Sequence, residues 1–175
     1  MKLINNKEGI KVIIRQATQL DADQILIVMN DAENSGFMLA NRGERKLKPE
    51  SVKKIIDNVN NASKSGFFVA EEEDTLLGYL IVRDESMERT IHRASIVIGV
   101  HSNSRGKGVG SALFEHVFEW AKQKELHRLE LTVIESNEQA IGLYKKMDFE
   151  VEGIRKDALL IEGKYVNEIY MGKIL

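Results

Sequence analysis

Residues 96–110 read Ile-Val-Ile-Gly-Val-His-Ser-Asn-Ser-Arg-Gly-Lys-Gly-Val-Gly, and their interpretation decides the fold. The first five, 96–100, are apolar and mostly β-branched, the pattern of a buried strand. A polar stretch follows. Then Arg105-Gly106-Lys107-Gly108-Val109-Gly110 opens a segment where Val109, Leu113, Val117 and Trp120 recur at helical spacing, with Phe114, Phe118 and Ala121 widening the stripe. Glycines remove Cβ atoms where backbone must approach a ligand, and the start of a helix presents unpaired N–H groups and a partial positive charge. Together they suit an anion such as a pyrophosphate, with Arg105 and Lys107 adding charge at the lip. The alternative for this hexamer is a glycine-rich helix entry that binds nothing.

Spacing tests two rival phosphate motifs. A P-loop needs Gly-Lys followed by Ser or Thr, whereas Gly106-Lys107 is followed by Gly108. The dinucleotide fingerprint needs a third glycine three after the second, and Ser111 stands there. Both rivals fail.

Outward from this stretch, the strand 96–100 belongs to a run at 91–100, preceded by similar runs at 66–70 and 76–83. Polar turns separate the three, which predicts an antiparallel meander. Earlier still, 11–15 reads as a strand, and 21–34 and 49–62 as helices, with 37–48 irregular between them. On the C-terminal side, 129–134 is a strand, 136–147 a helix opened by a capping box from Ser136 to Gln139, and 149–155 and 165–174 closing strands. The order is β-α-α-β-β-β-α-β-α-β-β, an α/β fold. Residues 1–10 carry no predicted element and are expected to be flexible.

The whole chain, 175 residues, suits one domain, 1–175, with no repeat and no linker. With 43% hydrophobic and 30% charged residues it reads as globular, neither disordered nor membrane-embedded. Residues 1–10 lack the apolar run of a signal peptide, so a soluble cytoplasmic protein is expected. A net charge of −2 supplies no general attraction to nucleic acid. Zero Cys excludes disulfides, thiolate nucleophiles and Cys-based metal sites, and the four His show no metal-ligand spacing, so no metal is expected.

Arg105-x-x-Gly108-x-Gly110 after a strand resembles the acyl-CoA pyrophosphate loop of the GNAT superfamily of N-acetyltransferases. Further on, Asn137, Ala140, Leu143, Tyr144 and Phe149 are similar in spacing to that family's second motif, N-x-x-A-x-x-L-Y-x-x-x-G-F. One position departs: Asp148 stands where the family has a helix-ending Gly. The resemblance implies a single mixed, mostly antiparallel central sheet flanked by helices. It also implies acetyl-CoA as cosubstrate, a small-molecule amine or a peptide N-terminus as acceptor, and a homodimer, for which no interface signature is visible. With no Cys to carry an acyl group, transfer would be direct attack in a ternary complex. A non-catalytic acyl-CoA-binding module is the alternative.

Site residues follow from the same resemblance. The pantetheine arm would run along the backbone of Ile98, Gly99 and Val100 as an added strand, with an N–H near Val100 stabilising the oxyanion. Arg105, Gly106, Lys107, Gly108, Val109 and Gly110 would hold the pyrophosphate. Asn137 would contact the pantetheine arm and Tyr144 would be the general acid. The two are seven residues apart, so they share a helix face. The N-terminal acetylating branch has a Glu five residues before the motif Asn, where this chain has Thr132. Glu33 is the candidate for amine recognition and His101 a second candidate base. Loops 35–48 and 156–165 are expected to form the acceptor pocket.

Overall fold

A computed structural model of the protein describes residues 2–5, 11–41 and 43–175. Eight strands form one sheet in the order β1-β2-β3-β4-β5-β6-β8-β7. Their ranges are β1 (Lys2–Asn5), β2 (Lys11–Gln16), β3 (Gly66–Glu72), β4 (Thr75–Asp84), β5 (Arg93–Val100), β6 (Arg128–Ile134), β7 (Glu150–Ile161) and β8 (Lys164–Ile174). All neighbours are antiparallel except β5 and β6. The helices are α1 (Ala22–Glu33), α2 (Pro49–Asn61), α3 (Val109–Gln123) and α4 (Glu138–Lys146).

Each helix buries the stripe that its spacing announces. Ile25, Val28, Met29 and Ala32 of α1, with Val52, Ile56 and Val59 of α2, pack on Phe67, Val69, Tyr79 and Ile81. On the opposite sheet face, Leu113, Phe114 and Val117 of α3 pack on Phe68, Leu80, Val82 and Ile96. Burying such a side chain stabilises by ~1.5–3 kcal/mol, so the two clusters clamp the sheet from both sides. No helix among the described residues is long and apolar enough to cross a membrane.

Three expectations need correction. Lys2–Asn5 is not a loose end but an edge strand paired with β2, while residues 1 and 6–10 lie outside the described residues. The cap of α4 is Asn137, whose side chain accepts from the Ala140 N–H at 3.2 Å, rather than Ser136. The segment 156–165 is not a loop: β7 runs on to Ile161 and turns at Glu162-Gly163 into β8. A bulge hid this from pattern reading, because four steps on β7 from Arg155 to Leu159 match two steps on β8 from Glu168 to Val166. Extra residues of that kind destroy the alternation that marks a strand.

Asp148 has a φ of 61°, the left-handed turn a glycine would adopt there. The Phe149 N–H reaches back to the Tyr144 carbonyl at 2.9 Å, closing the helix end. An Asp tolerates this conformation better than most side chains. Lys173 pairs with its carboxylate at 3.2 Å.

Candidate active site

Strands β5 and β6 touch only at their beginnings, Arg93 to Ser95 against Arg128 to Glu130. Beyond that they part, while β5 stays paired with β4 as far as Val100. The free edge of β5 follows from the alternation of an antiparallel ladder. The His101 N–H donates to the Leu77 carbonyl of β4 at 2.9 Å, so the Val100 and Ile98 N–H groups face the other way, into the gap. Gly99 has a separate task. A Cβ there would lie 2.5 Å from the Tyr79 ring, so only glycine lets that buried ring pack against the strand.

The gap continues into a cavity of about 510 Å³ lined by both strands, the N-termini of α3 and α4, and Phe37, Met38 and Leu39 after α1. The glycine turn stands at its mouth. Gly106 and Gly108 have φ of 74° and 91°, with open space where Cβ atoms would be. Their glycine identity serves conformation. Gly110 serves packing, since its Cβ would meet Leu143 of α4 at 2.7 Å. Gly108 is the N-cap of α3 and has no side chain to satisfy the first N–H groups, which leaves them available to an anion.

Ile98, Gly99, Val100, Arg105, Gly106, Gly108, Val109, Gly110, Asn137 and Tyr144 all line this one cavity, whereas Lys107 does not. The Arg105 Nε donates to the Val100 carbonyl at 3.1 Å, tying the turn to the end of β5. Asn137 commits its side-chain oxygen to the cap, and its amide NH₂ bonds no described residue. The Tyr144 ring packs edge-on to Phe114, 5.9 Å between centroids, and its hydroxyl bonds no described residue. Burial pushes that hydroxyl up to about 12, so it stays protonated, as a proton donor must.

Glu33 and His101 are not brought to the cavity, although Ala32 and Ser35 are. Glu33 is 2% exposed and faces Arg45, which reaches it at 2.6 Å from the segment before α2. His101 turns toward Asp31, and its Nδ1 accepts from the Asn103 N–H at 3.3 Å. Thr132 does line the cavity, as does Leu159 from the segment 156–165 expected there, and so does Glu168, which sequence reasoning missed. The one signal for Glu168 was an acid inside the otherwise strand-like run 165–171; only the register against β6 brings it to the site.

Asp31 of α1, also missed, accepts from the Ser102 N–H at 2.6 Å and hydroxyl at 2.8 Å, with Arg105 3.7 Å away. Partial burial draws its pKa up, but the Ser102 bonds, His101 and Arg105 outweigh this and hold it below the ordinary carboxylate value. A depressed pKa contributes stability above the unfolded value near ~3.9 and loses it as pH falls through the folded one. Asp31→Asn should therefore lower the melting temperature at pH 7 by about 1–4 °C, for roughly 0.5–1 kcal/mol in a domain of this size. Calorimetry at a series of pH values should show the difference shrinking below about pH 4. An equal difference at pH 7 and pH 3 would remove the charge from the explanation.

The comparisons with known proteins agree with this geometry. The family model described as "Acetyltransferase (GNAT) family" matches residues 26–149. The L-amino acid N-acetyltransferase AaaT of Escherichia coli (strain K12) is 36% identical over 107 residues, 61% of this chain and 66% of that protein, so the match spans less than two thirds of the relative. A GNAT-family acetyltransferase structure from Streptococcus pneumoniae superposes with a TM-score of 0.88 at 25% identity, over 94% of this chain and 99% of that one. A ribosomal-protein-alanine N-acetyltransferase from Brucella melitensis gives 0.84 at 29% identity, over 93% and 99%. With the family model covering most of the chain and the fold shared almost end to end, the chain belongs to the GNAT acetyltransferase family.

Proposed function

We propose that residues 1–175 act as one catalytic domain that transfers an acetyl group from acetyl-CoA to a primary amine by direct attack in a ternary complex. The observation that carries this reading is the continuity of one cavity. It joins an open strand edge, a glycine-capped helix N-terminus and a buried tyrosine with an uncommitted hydroxyl. Acetyl-CoA supplies an activated acyl thioester. The chain's residues do the rest.

The N–H groups at the start of α3, with Arg105, bind the pyrophosphate, and the free edge of Ile98 and Val100 pairs with the amides of the pantetheine arm. The Val100 N–H faces the gap, where it can stabilise negative charge developing on the thioester oxygen. The amine attacks as the neutral base after its ammonium proton passes to solvent. As the C–S bond breaks, Tyr144 gives its proton to the departing sulfur, and the proton shed by the new amide nitrogen returns through solvent to the tyrosine oxygen. A thiol near pKa ~8.5 is the stronger acid, so this donation depends on position rather than acidity. Attack by the amine is direct because the chain holds no Cys for an acyl-enzyme.

The acceptor is a small-molecule amine or a peptide N-terminus. AaaT is named as an L-amino acid acetyltransferase and the Brucella protein as acting on ribosomal-protein alanine, which supports that range. The test is thiol release from acetyl-CoA, followed with a thiol-detecting dye, across a panel of amino acids, arylalkylamines, polyamines and short peptides. At least one amine should release thiol and yield its N-acetyl product by mass spectrometry. Tight acetyl-CoA binding with no thiol release from any amine would leave a binding module instead.

A further inference from the structure

Glu168 is the only acidic side chain among the described residues that line the cavity. It is 7% exposed, an uncommon place for a carboxylate without a purpose. One oxygen, Oε2, accepts from the Arg155 guanidinium at 3.1 Å. The other, Oε1, takes no hydrogen bond from any described residue.

Register fixes what surrounds it. Glu168 pairs directly with Ile134 of β6 and with Arg155 of β7, and Tyr170, two residues on, pairs with Thr132. Directly paired residues of antiparallel strands share a face. These side chains therefore stand on the face opposite Leu131 and Val133, which pack into the α3 core. Leu159 joins them, because the bulge on β7 sets it against Val166, two residues before Glu168. Arg155 is itself held from behind: it stacks over the Tyr170 ring at 4.7 Å and hydrogen-bonds the Tyr170 hydroxyl. The carboxylate is anchored on one side and open on the other.

Resting on the acetyl-transfer reading, we infer that Glu168 recognises the acceptor as an ammonium carried on an apolar body. Its free Oε1 binds the cationic nitrogen, while Leu159 and the apolar residues 37–39 receive the carbon frame. A charge-assisted hydrogen bond of this kind is stronger than a neutral one, and Glu168 offers it from a buried position. Arg155 and Tyr170 are positioning residues that hold the carboxylate in its orientation.

Binding can be read without turnover in protein saturated with free CoA, which carries no acetyl group to transfer. Calorimetric titration with 2-phenylethylamine, and with 2-phenylethanol as its neutral counterpart, compares wild type, Glu168→Gln and Glu168→Asp. Glu168→Gln should weaken amine binding about 10- to 100-fold, the range of a lost charge-assisted hydrogen bond, and leave the alcohol unchanged. Unaltered CoA affinity in the same samples reports an intact cavity. Glu168→Asp keeps the charge and should restore preference for amine over alcohol. Equal amine affinity in wild type and Glu168→Gln, or no preference for amine over alcohol in wild type, would overturn the inference. A wild type that binds the amine through Glu168 but releases no thiol with acetyl-CoA would count against acetyl transfer and leave this assignment standing.

Discussion

Tyr144→Phe should lower the turnover of acetyl transfer by ~10²–10⁴-fold, the usual contribution of a positioned proton donor. The substitution removes one oxygen and keeps the ring, and the ring makes the edge-on contact with Phe114 and the contact with Phe149. Fold and cofactor pocket should survive. Acetyl-CoA affinity should stay within about twofold, because the hydroxyl is needed mainly in the transition state. Since burial holds the hydroxyl at about 12, the wild-type rate should show no decline from its ionisation between pH 7 and ~10. A residue that only packs would give the reverse pattern: lower stability, with turnover per folded molecule unchanged. Steady-state kinetics with the best amine from the panel, beside a melting curve, separates the two. Turnover within threefold of wild type would mean that the thiolate leaves unaided.

Gly108→Asp should abolish the stabilisation of the protein by acetyl-CoA. In wild type, a ligand at 100 times its dissociation constant adds ~2.7 kcal/mol. Each kcal/mol raises the melting temperature of a domain this size by ~2–4 °C, so the shift should be roughly 5–11 °C. NAD, for which the turn lacks the glycine spacing, should give none. The aspartate sets a negative charge at the cap of α3, where the phosphates compete for the same N–H groups. Space is not the obstacle, because nothing lies within 4 Å of the added Cβ. The φ of 91° does carry a cost, ~1–2 kcal/mol for a side chain in that region, so the unliganded melting temperature should fall by a few degrees. Gly108→Ala shares that backbone cost without the charge and should keep much of the shift. An undiminished acetyl-CoA shift in Gly108→Asp would place the phosphates elsewhere.

Much of the fold was legible because its signals are local. The helix α3 declares itself through Val109, Leu113 and Val117, and the meander through β-branched runs between polar turns. The glycine turn was readable too, since Gly106 and Gly108 are dictated by backbone conformation within a few residues. What escaped was set by partners distant in the chain. β7 was cut short at Arg155 because its bulge breaks alternation, and a bulge is visible only against β8. Glu33 has the sequence pattern of an available carboxylate at a helix end, but Arg45, 12 positions on, covers it. Asp31 and Ser102 sit 71 positions apart, and no spacing rule links them.

The sequence by itself determined the order of elements from β2 onward, the glycine turn at 105–110 and the two-turn spacing of Asn137 and Tyr144, because periodicity and turn chemistry act over one or two turns of chain. Only the tertiary structure decided that β5 and β6 part after Ser95, which opens the Val100 edge, and that Glu168 rather than Glu33 supplies the carboxylate of the cavity. Both depend on strand register. Register is settled by how side chains from separate elements fill the two faces of a shared sheet, and a single strand read alone contains no record of its neighbour.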